Sequence, residues 1–274
     1  MIDRRRVREA FDRQAMEYDA HAAVQKRVVA RLLELLAGRV GEAPRVLDVG
    51  SGTGELACQL ADRLHPGRLA CIDLAFGMAR QTRHKLAATA GTLVAVADAE
   101  QLPFHGGAFD LVVSASTFQW LTTLEAAFAE ARRVLVPGGR FCFALFGAGT
   151  FHELKSAYRE ALAEVGRESE DRTQRFFTAR EVRRALERNG FRVELLGSET
   201  ETEYHPDVPA FLRSLRRVGA GNASPVRGRG LAERRVMQVM MRRYAEEFGG
   251  PAGIPASYAV IYGVGVIDRP TAAR

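Results

Sequence analysis

Hydrophobic and polar positions alternate over the first half of the chain in a way that predicts strands followed by helices. Two amphipathic helices are predicted first, over residues 3–20 and 24–37. Short apolar runs then predict strands at 45–49, 69–73, 93–97, 109–115 and 140–146, the last after a turn at 137–139. Helical spacing predicts intervening helices at 55–64, 76–88 and 124–135. The alternation predicts an α/β fold, with a doubly wound, mostly parallel sheet covered on both faces.

The pattern changes after residue 147. Helices are predicted over 151–165 and 179–188, and a strand over 191–196. Residues 207–248 have a helical, arginine-rich pattern that is interrupted by a loop at 219–230, and 257–267 predicts a final strand. A long insertion before a last strand predicts a lid over the carboxyl edge of the sheet, where sites of this fold class occur.

Length and composition fit one domain over residues 1–274. The chain is 47% hydrophobic and 26% charged, which is an ordinary globular balance. Its predicted parts are N-terminal helices (1–40), a sheet core (41–150), a region of helices with one strand and the lid (151–256), and the final strand (257–267).

Targeting and metal-binding signals are missing from the sequence. No apolar run is long enough to span a bilayer, and the charged N-terminus lacks the apolar stretch of a signal peptide. We expect a cytoplasmic, monomeric enzyme without a membrane partner. The three cysteines are far apart and the six histidines are scattered, so no metal is predicted.

The chain is basic, with a formal net charge of +6, and arginine supplies most of the positive charge. A compositional bias toward arginine explains this as well as an anionic partner does. Such a partner would be nucleic acid, an acidic carrier protein or an anionic substrate. Basic and aromatic residues are not interleaved as in proteins that stack on bases, which disfavours nucleic acid.

The strongest local motif is a glycine-rich turn after the first predicted strand, in the segment VLDVGSGTG over residues 46–54. Glycines at such a turn permit positive φ and let a ligand approach the backbone closely. The G-x-G-x-G spacing, with an acid two positions earlier, differs from the pyrophosphate fingerprint of nicotinamide enzymes and suits a cofactor without phosphate. It argues against a nicotinamide-dependent oxidoreductase. The predicted cofactor contacts here are Asp48, Gly50, Ser51, Gly52 and Gly54, with Asp48 facing a positively charged amino-acid moiety through water or backbone contacts.

Two more acids end neighbouring strands. Asp73 lies about 20 residues past the turn, where a carboxylate can accept both hydroxyls of a ribose. Asp98 can accept from an adenine amino group, with the Ala99 amide opposite a ring nitrogen. A single aspartate at a strand end is often a helix cap, but three acids on successive strand ends favour a binding site. Leu74 and Ser114 complete the predicted cofactor set.

Several segments resemble the successive motifs of the class I methyltransferases. They are VLDVGSGTG, CIDLAFGMA, ADAEQLPF, FDLVVSASTFQWL and RVLVPGGRF, within residues 40–147. The resemblance implies S-adenosylmethionine as cofactor. It also implies a seven-stranded, Rossmann-like sheet whose last strand, 257–267, is antiparallel.

A narrower resemblance extends over nearly the whole chain, to the malonyl-acyl-carrier-protein O-methyltransferase family of biotin synthesis. Its elements lie at 11–15, 18–19, 25, 119–121, 146–154, 212–220 and 258–263, and the QW and LRxxGA segments are the most telling. Ser51 departs from a cysteine that is common in the family, and residues 221–230 diverge. The resemblance implies methylation of a malonyl thioester on acyl carrier protein, giving the methyl ester that primes pimeloyl and biotin synthesis.

Carboxylate methylation is consistent with the residues present. A carboxylate is ionised at neutral pH, so no general base is required, and no obvious one is found. An anion needs an anchor, and arginine binds carboxylates bidentately; Arg213 on the predicted lid helix is our first choice and Arg216 the second. Any one of so many arginines is equally a solvated surface residue.

Tyr18 is predicted to close over cofactor and acceptor, and Gln119 and Trp120 follow a strand end. Both aromatic residues also fit packing roles.

Other acceptors are compatible with the same cofactor motifs. A small-molecule C- or O-methyltransferase, for instance acting on a quinone precursor, would share every predicted cofactor contact, and an apolar lid without a buried arginine would favour it. A nucleic-acid methyltransferase is disfavoured, because the sequence has no NPPY-like motif, no catalytic Pro-Cys dipeptide and no appended binding domain.

Overall fold

The computed structural model describes residues 2–168, 171, 173–219 and 231–269. The N-terminal region forms three helices, α1 (Arg4–Gln14), α2 (Tyr18–His21) and α3 (Ala23–Leu36). The single helix predicted over 3–20 is therefore wrong, because the chain breaks at residues 15–17. Ala15 is buried there against Ala75 and Met78, and the break turns the chain toward the sheet.

A seven-stranded sheet with the order β3-β2-β1-β4-β5-β7-β6 forms the centre of the fold. The strands β1 to β5 are parallel, whereas β7 runs antiparallel to both β5 and β6. The predicted doubly wound sheet with an antiparallel last strand is thus confirmed. The strands are β1 (Arg45–Val49), β2 (Arg68–Asp73), β3 (Thr92–Val96), β4 (Phe109–Ala115), β5 (Leu135–Phe146), β6 (Arg192–His205) and β7 (Ile254–Val266).

Helices cover both faces of the sheet, and alternate residues of each central strand pack on opposite sides. In β5, Cys142 and Ala144 belong to an apolar cluster under α3, α4, α7 and α10, whereas Phe141 and Phe143 pack with α6 and α8. None of the described helices is long and apolar enough to cross a membrane. The remaining helices are α4 (Glu55–Leu64), α5 (Phe76–Lys85), α6 (Glu125–Val134), α7 (His152–Glu164), α8 (Ala179–Arg188), α9 (Val208–Arg217) and α10 (Leu231–Phe248), with a 3₁₀ turn at Phe118–Trp120.

Two strands are longer than predicted. The predicted turn at 137–139 lies inside β5 as an irregularity, since Phe109 pairs with Leu135 but Leu111 already pairs with Arg140. The edge strand β6 continues to His205, because β7 pairs along its whole length. Its second half, GSETETEYH, is almost entirely polar, and exposed and less exposed positions alternate only from residue 200 onward, so it lacks the apolar run that predicts a strand.

The predicted arginine-rich helical region consists of α9 and α10. Of the predicted interruption at 219–230, only residue 219 belongs to the described part of the chain. The helix α10 packs against α7, where Arg243 forms ion pairs with Glu160 and Glu164. The side of α9 that packs inward carries Val208, Phe211, Leu212 and Leu215, as its apolar spacing requires.

The antiparallel addition of β7 depends on a glycine. A Cβ at Gly263 would lie 2.4 Å from Cζ of the buried Phe143. We expect Gly263→Ala to lower the free energy of unfolding by about 1–3 kcal/mol, because the overpacked ring must move. Urea denaturation measures this. Gly197→Ala on the neighbouring strand is the control, since its Cβ would meet no atom within 4 Å; equal midpoints for the two variants would contradict the prediction.

Candidate active site

The glycine-rich turn between β1 and α4 opens a cavity at the carboxyl edge of the sheet. The amides of Gly50 and Ser51 both donate to the Ile72 carbonyl, at 2.8 and 2.9 Å, which fixes the turn on β2. Gly52 has a φ of +57°, and a Cβ there would meet nothing within 4 Å, so this backbone borders open space. Gly54 (φ +89°) is a correction to the predicted cofactor contacts, because it packs against Thr82 and is not among the described residues that line the cavity. The turn therefore has room for a ligand on the side of Gly52, whereas the side of Gly54 is packed against the protein.

Asp48 brings an unpaired carboxylate to this cavity. The residue is 1% exposed and lines the cavity wall. Neither carboxylate oxygen has a hydrogen-bond partner within the described part of the chain. Burial, followed by the charge of Asp73, raises the pKa of Asp48 to about 8. The carboxylate is therefore free to face a ligand, and it fits a cationic one.

Asp73, at the end of β2, supports the turn from the other side. Its Oδ2 accepts from the Gly52 amide at 2.9 Å and its Oδ1 from the Ala75 amide at 2.8 Å. Burial raises its pKa to about 6 although these amides act in the opposite direction. Each oxygen keeps a second lone pair, so the carboxylate can still accept from a diol while it holds the backbone. Leu74 beside it also lines the cavity.

Asp98 and Ala99 line the far end of the same cavity, after β3. There Arg4 of α1 donates to Asp98 Oδ1 at 2.6 Å and also pairs with Glu100. Arg4 is not predicted as a site residue by its sequence, because an N-terminal run of arginines resembles a solvated surface. Its contact makes α1 part of the site.

The N-terminal helices form polar contacts with the cavity rim at two more positions. Asp12 Oδ1 accepts from the Gly77 amide at 2.7 Å. Asp19 accepts from the Thr53 hydroxyl and pairs with Lys85 of α5. These contacts place the N-terminal segment over the glycine-rich turn.

Ser114 is a correction to the predicted set. Its side chain is fully buried, and its hydroxyl donates to the Val49 carbonyl at 2.8 Å. It joins β4 to β1 and is not among the described residues that line the cavity. Ser116 and Thr117, two and three positions further along, line it instead.

A second, smaller pocket adjoins this cavity and is mostly aromatic. Its walls include Gln119, Phe151, Phe176 and Tyr258, and α9 contributes Leu215. We call it the aromatic pocket, and the larger space the main cavity. No charged side chain lines the aromatic pocket in the part of the chain that the structure describes. The residues shared by the two spaces are Phe11, Tyr18, Gln25, Ser116 and Trp120.

Tyr18, Gln119 and Trp120 therefore come together as predicted for an acceptor site. Burial and the nearby charges of Asp73 and Asp19 raise the pKa of Tyr18, so its hydroxyl remains a neutral donor at physiological pH. Gln119 is held by its own bonds, because its amide nitrogen donates to the Ser116 carbonyl at 2.6 Å. Gln119 thus shapes the pocket, while Tyr18 and Trp120 lie where the two spaces meet.

Arg213 and Arg216 are not brought to either space. Both are exposed on α9, and the Arg213 side chain is 58% accessible, with its guanidinium 4.0 Å from Asp207. The predicted anchoring of a carboxylate by Arg213 inside the pocket is therefore wrong for this structure, and Arg216 does not replace it. The apolar spacing of α9 directs Phe211, Leu212 and Leu215 inward and both arginines outward.

The sequence and the fold are similar to those of known methyltransferases. Residues 47–143 match the methyltransferase domain family. Malonyl-acyl-carrier-protein O-methyltransferase of Geobacter sulfurreducens is 65% identical over 97% of this chain and 99% of its own. The protein of that name from a Methylovorus strain is 37% identical over 96% of this chain and 88% of its own. A solved structure, of a proposed methyltransferase from Bacillus halodurans, has a TM-score of 0.62 at 18% identity, covering 88% of this chain and 98% of the other, so it supports the fold.

The chain belongs to the malonyl-acyl-carrier-protein O-methyltransferase family. It is accordingly a methyltransferase of the S-adenosylmethionine-dependent class, and the predicted class and family are confirmed. Among the described residues, no three histidine, cysteine or acidic side chains are grouped as a metal site requires.

The protonation of Asp48 in this methyltransferase gives a direct test of ligand charge. With a pKa of about 8, the free protein holds Asp48 mostly protonated at pH 7. A ligand ammonium favours the carboxylate, so binding of S-adenosylhomocysteine at pH 7 should release up to about one proton. Calorimetry in buffers of different ionisation enthalpy measures the release. Asp48→Asn should abolish it and weaken binding; an unchanged proton count in the variant would remove Asp48 from the ammonium site.

Proposed function

We propose that the chain transfers a methyl group from S-adenosylmethionine to the free carboxylate of a malonyl thioester on acyl carrier protein. The 65% identity with the Geobacter enzyme over nearly the full length of both chains carries this proposal. The methyl ester masks a charge, so that the acyl chain can be extended like a fatty acid toward pimeloyl and biotin synthesis.

The main cavity supplies the residues that would hold the cofactor. Asp48 would face the ammonium of the methionyl group, and Asp73 the ribose hydroxyls, as their unpaired or partly used oxygens allow. Asp98 and Ala99 would meet the adenine, with Leu74 beside it. When bound, the cofactor supplies an electrophilic methyl group on a sulfonium. The fit is supported by the buried carboxylate of Asp48, which has no other partner among the described residues.

The aromatic pocket would receive the malonyl group. Tyr18 and Trp120 line both this pocket and the main cavity, and the methyl group and the acceptor would meet beside them. The chemical step needs no base, since the acceptor is ionised at neutral pH. Rate enhancement would come from placing the acceptor oxygen in line with the methyl carbon and from excluding water. The apolar walls, Phe146, Phe151 and Phe176 among them, provide that exclusion.

The basic outer face of the lid would dock the carrier protein. Arg213, Arg216 and Arg217 of α9 are exposed, and so are Arg234 and Arg235 of α10. Within the described ranges, the last four form no ion pair with a carboxylate. Acyl carrier proteins are acidic, so these charges would steer encounter instead of binding the malonyl group.

A small-molecule C- or O-methyltransferase is the second candidate. The observation in its favour is the absence of a charged side chain from the described walls of the aromatic pocket. An uncharged acceptor would fit such a pocket without further help.

Methyl transfer to malonyl-, succinyl- and acetyl-carrier protein, measured side by side, tests the proposal. We expect malonyl turnover to be fastest and acetyl turnover to be negligible, because the acetyl group has no free carboxylate. A quinone precursor such as a polyprenyl phenol serves as the rival acceptor. Turnover of that acceptor without turnover of any carrier thioester would transfer the assignment to the small-molecule class.

Carrier engagement should be sensitive to salt. The Debye length falls from about 10 Å at 0.1 M to about 3 Å at 1 M salt, so kcat/KM for malonyl-carrier protein should fall over that range. The double variant Arg216→Glu, Arg217→Glu should lower it further and leave malonyl-pantetheine turnover unchanged. The double variant Arg63→Glu, Arg68→Glu, at two exposed positions on α4 and β2, is the charge-matched control. A flat salt profile would exclude a steering role for this face.

A further inference from the structure

Ser116 is held in a backbone conformation that a serine rarely adopts. It lies just past the end of β4 with a φ of +58°. Its amide donates to the Ala144 carbonyl at 2.8 Å, and its carbonyl accepts from the Gln119 side chain at 2.6 Å. Hydrogen bonds to β5 and to the 3₁₀ turn therefore hold this strained residue in place. Such strain is typical of functional sites, where the direction of a side chain matters.

The Ser116 hydroxyl is buried and has no hydrogen-bond partner in the described ranges of the chain. An unpaired buried hydroxyl costs stability, since it has lost its bonds to water. Its neighbour Ser114 shows the alternative, because that hydroxyl is satisfied by the Val49 carbonyl. The described part of the protein therefore leaves the Ser116 hydroxyl without an acceptor for its proton, and a ligand could supply one.

The position of Ser116 indicates which ligand would accept this hydrogen bond. It lines both the main cavity and the aromatic pocket, so it lies where donor and acceptor meet. The other polar side chains at this junction, Tyr18, Gln25 and Trp120, are also neutral hydrogen-bond donors. The cations Arg4, Arg8 and Lys26 line only the main cavity.

Neutral donors suit a reaction in which charge disappears. The acceptor oxygen forms a bond to the methyl carbon while the carbon–sulfur bond breaks and its electron pair stays on sulfur. The anionic carboxylate becomes a neutral ester, the sulfonium becomes a neutral thioether, and no proton moves. A guanidinium on the carboxylate would stabilise the charged ground state more than the transition state and so would raise the barrier. A neutral donor orients the oxygen with less of that penalty.

We propose that Ser116 donates a hydrogen bond to the acceptor carboxylate and orients it toward the methyl group, with Tyr18 and Gln25 as the other neutral donors. This inference rests on the proposed function, since it takes a carboxylate as acceptor. It replaces the arginine anchor that the sequence predicted with a set of uncharged groups at the junction.

Ser116→Ala tests the proposal, because it removes the hydroxyl and nothing else. We expect kcat/KM for malonyl-carrier protein to fall about 10- to 100-fold, the usual range for a hydrogen bond to a charged group. The dissociation constant of S-adenosylhomocysteine should stay within about two-fold of wild type. Ser116→Gly relaxes the backbone strain and should show the same kinetic loss. Ser198→Ala, which removes an exposed hydroxyl from β6, is the control and should match wild type.

Thermal unfolding and cofactor titration show first that each variant is folded. Near-normal malonyl turnover in Ser116→Ala would overturn the proposal. A loss of S-adenosylhomocysteine affinity equal to the loss in kcat/KM would also overturn it, by assigning the hydroxyl to the cofactor. Recovery of activity in Ser116→Gly but not in Ser116→Ala would assign the effect to backbone strain. Failure of the proposed function is distinguishable, because the wild type would then methylate no malonyl thioester.

Discussion

The carboxyl edge of the sheet is organised around a buried acid, Asp48, to which the described part of the protein offers no hydrogen-bond or ion-pair partner. Asp48 is buried in the central strand β1, its oxygens have no partner among the described residues, and Asp73 lies close enough to raise its pKa further. Buried carboxylates without a cation are costly. The fold tolerates this one because flanking strands and the glycine-rich turn fix its position, and because a cationic ligand removes the cost. Burial of Asp48 therefore lowers the stability of the free protein, and binding of a cationic ligand would recover that free energy.

The N-terminal helices complete the site. Arg4, Asp12 and Asp19 each bond to a different part of the rim, at Asp98, Gly77 and Thr53 respectively. Between the last two contacts, the break after α1 places Tyr18 at the junction of the two spaces. The same segment therefore lines both the main cavity and the aromatic pocket.

Much of this arrangement could be predicted from the sequence, and the exceptions have physical causes. Acids at successive strand ends fall at one edge of a parallel sheet, so Asp48, Asp73 and Asp98 were found by spacing alone. The position of Ser116 on the cavity wall was not predicted, because a strained φ leaves no signal in composition or periodicity. Arg213 was misplaced although a signal existed, since the apolar spacing of α9 already directs it outward. The outer half of β6 was missed because an edge strand with one exposed face carries too few apolar residues.

Charge also explains why the two adjoining spaces differ so much in lining. The main cavity carries acids that suit a cationic cofactor, whereas the described walls of the aromatic pocket carry no charge at all. In the proposed reaction, an acceptor anion entering that pocket would lose its water, and the sulfonium of the cofactor would be its nearest countercharge. In a medium of low dielectric their attraction is strong, and it draws together the two atoms that must bond. A buried arginine would compete for that attraction. An apolar pocket with a few neutral donors therefore does not contradict an anionic acceptor; it makes the cofactor itself the cation that the acceptor meets.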